Sequence, residues 1–221
     1  MQDMTNIVAL KGLLGETITK ESKLCSMDYE HYRATIQTTR RSGVVDMANI
    51  VIPVELAAAV EEIEKEADIR PNPPIMCTGK LQTLKDWETG SVLLFVLADF
   101  VGVLTGDNYE EENAVHIEAA TLGKKPIYRE TPRGKHIADA TIKVDNILRP
   151  HNPCYIPAIF WKKDAEAVSA HTEGDAIAIT GRLQSREYNK VIDESTQELR
   201  VAYELSVSSI DNTLESEETR E

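Results

Sequence analysis

The sequence predicts an all-β chain, with one short helix in each of two tandem repeats. Three observations carry this. Near-identical pentapeptides, GKLQT (79–83) and GRLQS (181–185), each follow a short apolar run. Their flanks repeat in the same order: NIVALKG (6–12) faces NAVHIEA (113–119), YRATIQ (32–37) faces ADATIK (138–143), and IVIPVELAAAV from Ile50 faces CYIPAIFWKKDAEAV from Cys154. The offsets drift through 107, 106, 104 and 102 residues, as loop insertions would make them. Fixed-order self-similarity of this length marks a duplicated supersecondary unit. Most of the repeated segments also alternate apolar and polar residues and are rich in Ile, Val, Thr and Tyr, the period-2 signature of half-buried strands.

Taken in order, each repeat runs strand, strand, strand, helix, strand, strand. HYRATIQTT, HIADATIKV, DAIAITGRLQS and LRVAYELSVSSI supply clear strands. The first helix is PVELAAAVEEIEKEA (53–67), which opens on Pro53 and spaces Leu56, Val60, Ile63 and Ala67 along one face. RPNPP (70–74) stops it. The second helix, KKDAEAVSAH (162–171), is shorter, and Gly174 returns the chain to strand. Five strands with one helix between the third and fourth fit the OB barrel, so the expected architecture is two tandem five-stranded OB-fold barrels. The expected domains are 1–106 and 113–210, divided within the acidic, patternless TGDNYEEEN (105–113). The tail 211–221, charged and with little to bury, is expected to be disordered.

At 221 residues each repeat is large enough to bury its own core. Cys25, Cys77 and Cys154 have no pairing or zinc-type spacing and read as reduced thiols of a cytosolic protein. The N-terminus lacks the pattern of a signal peptide. The longest apolar run, 91–104, is broken by Asp99 and is too short to span a bilayer. Net charge is −13, which by itself argues against a polyanionic partner, but it is unevenly placed: −10 over 1–120, +1 over 121–210 and −4 over 211–221. The cations belong to the second repeat, and such asymmetry between halves bears on function.

The second repeat carries RETPRGKHIADATIKV (129–144), YIPAIFWKKDAEAV, GDAIAITGRLQSREYNK and RVAYELSVSSI. That order of motifs resembles the bacterial single-stranded DNA-binding protein family: an Arg-x-Thr-x-x-Gly arm, a strand ending in an aromatic that enters an "AE" helix, then a Gly-Asp/Ser turn into GxLxxRxY/W. The likeness covers about 113–210 and extends to the related primosomal replication protein N; the first repeat carries the scaffold more faintly. It implies binding of single strands by base stacking and phosphate contacts, without catalysis or cofactor, in replication, recombination or repair. The aromatics at the family's positions are Tyr155, Trp161 and Tyr188. The cations beside them are Lys162, Lys163, Arg182 and Arg186, with Arg129, Arg133 and Lys135 on the arm and Lys143 on the following strand. Stacking faces interleaved with cations are what unpaired bases and a phosphate backbone require. Leu148 stands where the family often has a further aromatic. In the first repeat the offset of 104 places Val51 and Ala57 opposite Tyr155 and Trp161, and only Trp87 lies near a platform position.

Nothing in the sequence signals catalysis. The five histidines form no metal triad, HNPC (151–154) lacks two further ligands, and no glycine-rich loop has a phosphate-binding pattern. A second function class is a primosome-type or other protein-interaction adaptor, favoured by the low aromatic content and the acidic first repeat. RNA is not excluded as a ligand. The expected partners are single-stranded DNA, a second copy of the chain in a homodimer, and replication or repair proteins, with no membrane; the expected location is the cytoplasm, with the nucleoid.

Overall fold

The computed structural model describes residues 4–106, 109–132, 134–191 and 197–211. Its elements are β1 (Thr5–Leu14), β2 (Thr19–Leu24), β3 (Met27–Thr39), β4 (Val45–Pro53), a 3-10 turn (Val54–Leu56), α1 (Ala57–Ile69), β5 (Pro74–Lys85), β6 (Val92–Val103), β7 (Glu112–Leu122), β8 (Ile127–Glu130), β9 (His136–Val144), β10 (Cys154–Trp161), α2 (Lys163–Ser169), β11 (Ala176–Val191) and β12 (Gln197–Asp211). Each repeat holds one strand more than the sequence pattern indicates. The extra strands, β2 and β8, are the first limbs of hairpin arms and, among the described residues, pair only with β3 and β9 respectively. Their exposure on both faces explains the miss: β8 buries no residue and so has no alternation to read.

In the first repeat β1 pairs with β5 and also with β3 at Leu13–Leu14; β3 pairs with β4, β4 with β6 in parallel, and β6 with β5. The ring closes with five strands. The second repeat closes the same way, β7 meeting both β11 and β9, and β10 running parallel to β12. These are two tandem OB-fold barrels. Inside the first lie Leu10, Ile36, Ile50, Ile52, Ile75, Leu81 and Phe95; inside the second, Ile117, Ile142, Ile156, Phe160, Ile179 and Leu205. Val60 and Ile63 of α1, and Ala165 and Val168 of α2, are buried, while the acidic residues of α1 face water.

The repeated pentapeptide marks a place where the barrel strands crowd closely in both repeats. A Cβ on Gly79 would lie 2.2 Å from the carbonyl oxygen of Leu97, and one on Gly181 2.5 Å from that of Ser206. No side chain fits either site without moving backbone. Two residues on, Leu81 and Leu183 enter the cores, and Gln82 and Gln184 are buried behind them.

The compact units do not follow the repeats. One contains the described residues through Ile7, Ala114–Arg182 and those from Leu205 to Asp211; it is called the second-repeat unit below, and beyond Asp211 the tail expected to be disordered lies outside the described residues. The other, the first-repeat unit, contains Val8–Asn113 together with Leu183–Glu204, the outer part of the β11–β12 hairpin. Among the described residues, no helix is long and apolar enough to cross a membrane.

Candidate nucleic-acid interface

In the second-repeat unit, β10 sends Cys154, Ile156, Ala158 and Phe160 inward, so strand alternation turns Tyr155, Pro157 and Trp161 outward. Lys143 on β9 stands directly opposite Tyr155. The Tyr155 ring is 47% exposed and lies over Gly123, where even a methyl group would come within 2.9 Å of the ring. Trp161 is half-buried and oriented: its indole Nε1–H donates to the hydroxyl of Ser206 at 3.1 Å, leaving the ring held by one edge. Sequence reading missed Gly123 and Ser206, whose roles depend on neighbours distant in the chain.

Lys162 follows Trp161 with φ of +54°, an uncommon conformation for a side-chain-bearing residue. Its N–H donates to the carbonyl of His136 at 2.9 Å, tying the end of β10 to the base of the arm. Lys162 and Lys163 are exposed, and among the described residues no carboxylate pairs with Lys143, Lys162 or Lys163. The arm turn is closed by Thr131, whose N–H reaches the Lys135 carbonyl at 2.8 Å and whose hydroxyl accepts the Lys135 N–H at 3.0 Å. Arg129 differs from the lysines. Its guanidinium spans the Asp139 carboxylate at 2.5 and 3.2 Å, so much of its charge is already matched. Arg133 lies outside the described residues. Arg182, half-buried, follows Gly181 on β11.

Arg186 and Tyr188 stand further along β11, in the first-repeat unit. The Arg186 guanidinium lies 5.9 Å from the Tyr188 ring centroid, and its Nε is 3.5 Å from Glu204. Tyr188 is exposed.

The strand registers correct the sequence self-alignment of β4 with β10. Val51 pairs in parallel with Leu97, as Ile159 does with Ser206; and Gln37 faces Met47, as Lys143 faces Tyr155. The first-repeat counterparts of Tyr155, Pro157 and Trp161 are therefore Met47, Asn49 and Pro53, rather than Val51 and Ala57. The apolar motif had been slid by four residues, two strand periods, which preserves the inward–outward alternation and so leaves no trace in the pattern. The corresponding face is more covered: Thr35 and Asn49 are 6% and 5% exposed, and Met47 is half-buried where Tyr155 is exposed. Trp87 is 65% exposed at the β5–β6 turn, with the Lys85 ammonium 5.0 Å from its ring.

The single-strand binding protein family matches residues 113–210. No curated protein matches the chain in sequence. Among solved structures, a deletion mutant of the single-stranded DNA binding protein from Thermus aquaticus superposes with a TM-score of 0.69 at 20% identity, covering 99% of this chain and 98% of that one. The wild-type protein from the same organism gives 0.67 at 18% identity, covering 95% and 93%. These structures share the fold across both repeats. By motif the second repeat matches the single-strand binding protein family, and by fold the chain is similar to the Thermus aquaticus protein over nearly its whole length.

Proposed function

We propose that the chain binds single-stranded DNA without regard to sequence and without catalysis, in replication, recombination or repair. The observation that carries this is the outward row of β10: Tyr155 beside Lys143, and Trp161 held edge-on and followed by two lysines that no carboxylate neutralises among the described residues. Aromatic faces accept bases of any identity, and cations along a groove follow the backbone. Tyr155, Trp161, Lys135, Lys143, Lys162, Lys163 and Arg182 are the proposed contacts of the second repeat; Arg129 contributes less, since Asp139 already holds it. Arg186 and Tyr188 are proposed contacts on the hairpin. Filter binding with single-stranded DNA, RNA and duplex of equal length tests the reading: retention of duplex equal to that of single strands would refute it.

The repeats 1–106 and 113–210 are proposed as the two duplicated domains, the second carrying the stronger site. Two such chains would present four barrels in a homodimer, and two-fold dimers are the commonest soluble assembly. Light scattering giving a mass near twice 24.6 kDa supports the dimer, and one near a single chain refutes it. A cytoplasmic, nucleoid-associated location follows from the same reading.

A further inference from the structure

We infer that the ligand face of the first barrel serves as a seat for the β11–β12 hairpin, with Asp46 and Ser185 as positioning residues for Arg186 and Tyr188. The inference rests on the proposed binding of single strands, and concerns how one part of that surface is held in place.

The seat lies wholly within the first-repeat unit. Asp46 is 1% exposed at the start of β4. Its carboxylate accepts two hydrogen bonds from the Arg40 guanidinium, both at 2.6 Å, and a third from the N–H of Ser185 at 3.0 Å. Ser185 completes an exchange across the same point: its hydroxyl accepts the N–H of Met47 at 2.9 Å. Beside it, Asn113 bonds both backbone groups of Leu183, accepting at 2.8 Å and donating at 2.9 Å. Gln184 donates to Glu204 at 2.6 Å, joining the two limbs of the hairpin. On the other limb, burial and then the Glu16 carboxylate push the Tyr203 phenol up, while Arg33 and a hydrogen bond shared with Asn49 pull it down. These contacts account for the cover over Met47 and Asn49, the counterparts of Tyr155 and Pro157. Arg186 and Tyr188 begin immediately beyond Ser185, so the last fixed point before them is the Asp46–Ser185 junction. Hydrogen bonds to a buried ionised group are among the stronger and more directional contacts available.

The test is a binding series on the full chain with oligo-dT. Asp46→Ala should weaken binding by about three- to ten-fold, the usual range for coupling through a packed network, and Ser185→Ala should act in the same direction and less. Tyr188→Ala should weaken binding in the wild-type background, yet add little in the Asp46→Ala background. Trp161→Ala should weaken both equally. A role confined to stability would leave the effects of Asp46→Ala and Tyr188→Ala additive. If Asp46→Ala does not fold, the same cycle with Ser185→Ala decides. Unchanged or tighter binding in the seat variants, with Tyr188→Ala still weakening the wild type, overturns the proposal; tighter binding would make the hairpin an inhibitory cover. So does a Tyr188→Ala variant that binds normally while Trp161→Ala does not. If both aromatic variants bind normally, the underlying reading fails as well.

Discussion

The two barrels have the same strand order, the same closing pairs and the same crowded glycine, and differ on one face. Where β10 turns out Tyr155, Pro157 and Trp161 with Lys143 alongside, β4 turns out Met47, Asn49 and Pro53 with Gln37 alongside. The first face is open at Tyr155; the second is closed by the hairpin. Duplication has kept what the backbone demands and released what the ligand demands. Closure of a five-stranded ring constrains residues by excluded volume, whereas a stacking platform constrains them only while something stacks there.

The largest expected effect tests what the barrels share. Gly79→Val and Gly181→Val should each destabilise the chain by about 3 kcal/mol or more, because the added carbons meet a backbone carbonyl and cannot be relieved by a side-chain rotation. Denaturant unfolding measures it, and a marked difference between the two would break the equivalence. Next come the faces. Trp161→Ala should cost about 1–3 kcal/mol of single-strand binding, the loss of one stacked base, while Pro53→Ala at the corresponding place should leave binding unchanged. A Trp161→Ala variant that unfolds would place the indole among core residues instead. Smaller is the salt response. Lys143→Ala should flatten the log–log dependence of affinity on salt by about 0.7, the share of one phosphate on a single strand. Gln37→Lys, under the covered face, should not steepen it.

The smallest effect concerns acid. Among the described residues, each repeat has a half-buried turn carboxylate held below its ordinary value: Asp86 by the Ser26 hydroxyl and then the Glu88 N–H, and Asp175 chiefly by the Thr172 N–H. A folded-state value below the unfolded one means that the stabilisation is present above the ordinary carboxylate range. It is lost as pH falls through the folded value. Asp86→Asn and Asp175→Asn should each reduce the slope of stability against pH on the acid side, by similar amounts.

Much of this was legible in the sequence. The duplication, both helices and the barrel type followed from periodicity and order, because a ring of short strands must alternate and turn at regular intervals. The arm strands β2 and β8 were not readable as separate elements, since strands exposed on both faces carry no apolar period. Of the site, Tyr155, Lys143, Trp161, Lys162 and Lys163 could be named from the motifs of the second repeat; Tyr155 and Lys143 stand at one end of the β9–β10 pair, and Trp161 with the lysines after it at the other. The counterparts in the first barrel were misplaced by four residues, a shift to which alternation is blind. The pairing of Arg129 with Asp139 and the anchoring of Trp161 on Ser206 depend on register across strands, which a single sequence does not specify. The cover over the first barrel comes from residues that belong by descent to the second repeat.

That discontinuity bears on synthesis. Ser185 closes on Asp46 and Met47 across separations of 139 and 138 residues, so the first barrel emerges from the ribosome long before its last pieces exist. Until then, the Asp46 carboxylate has Arg40 alone of these partners, and water must stand in for Ser185 on it and on the Met47 amide. Contacts so distant along the chain are slow to form, because ordering the intervening chain precedes any return. The nascent protein therefore passes through an interval in which one barrel is nearly complete but unsealed, and a pause in translation or a truncation before Leu183 would leave it in that state.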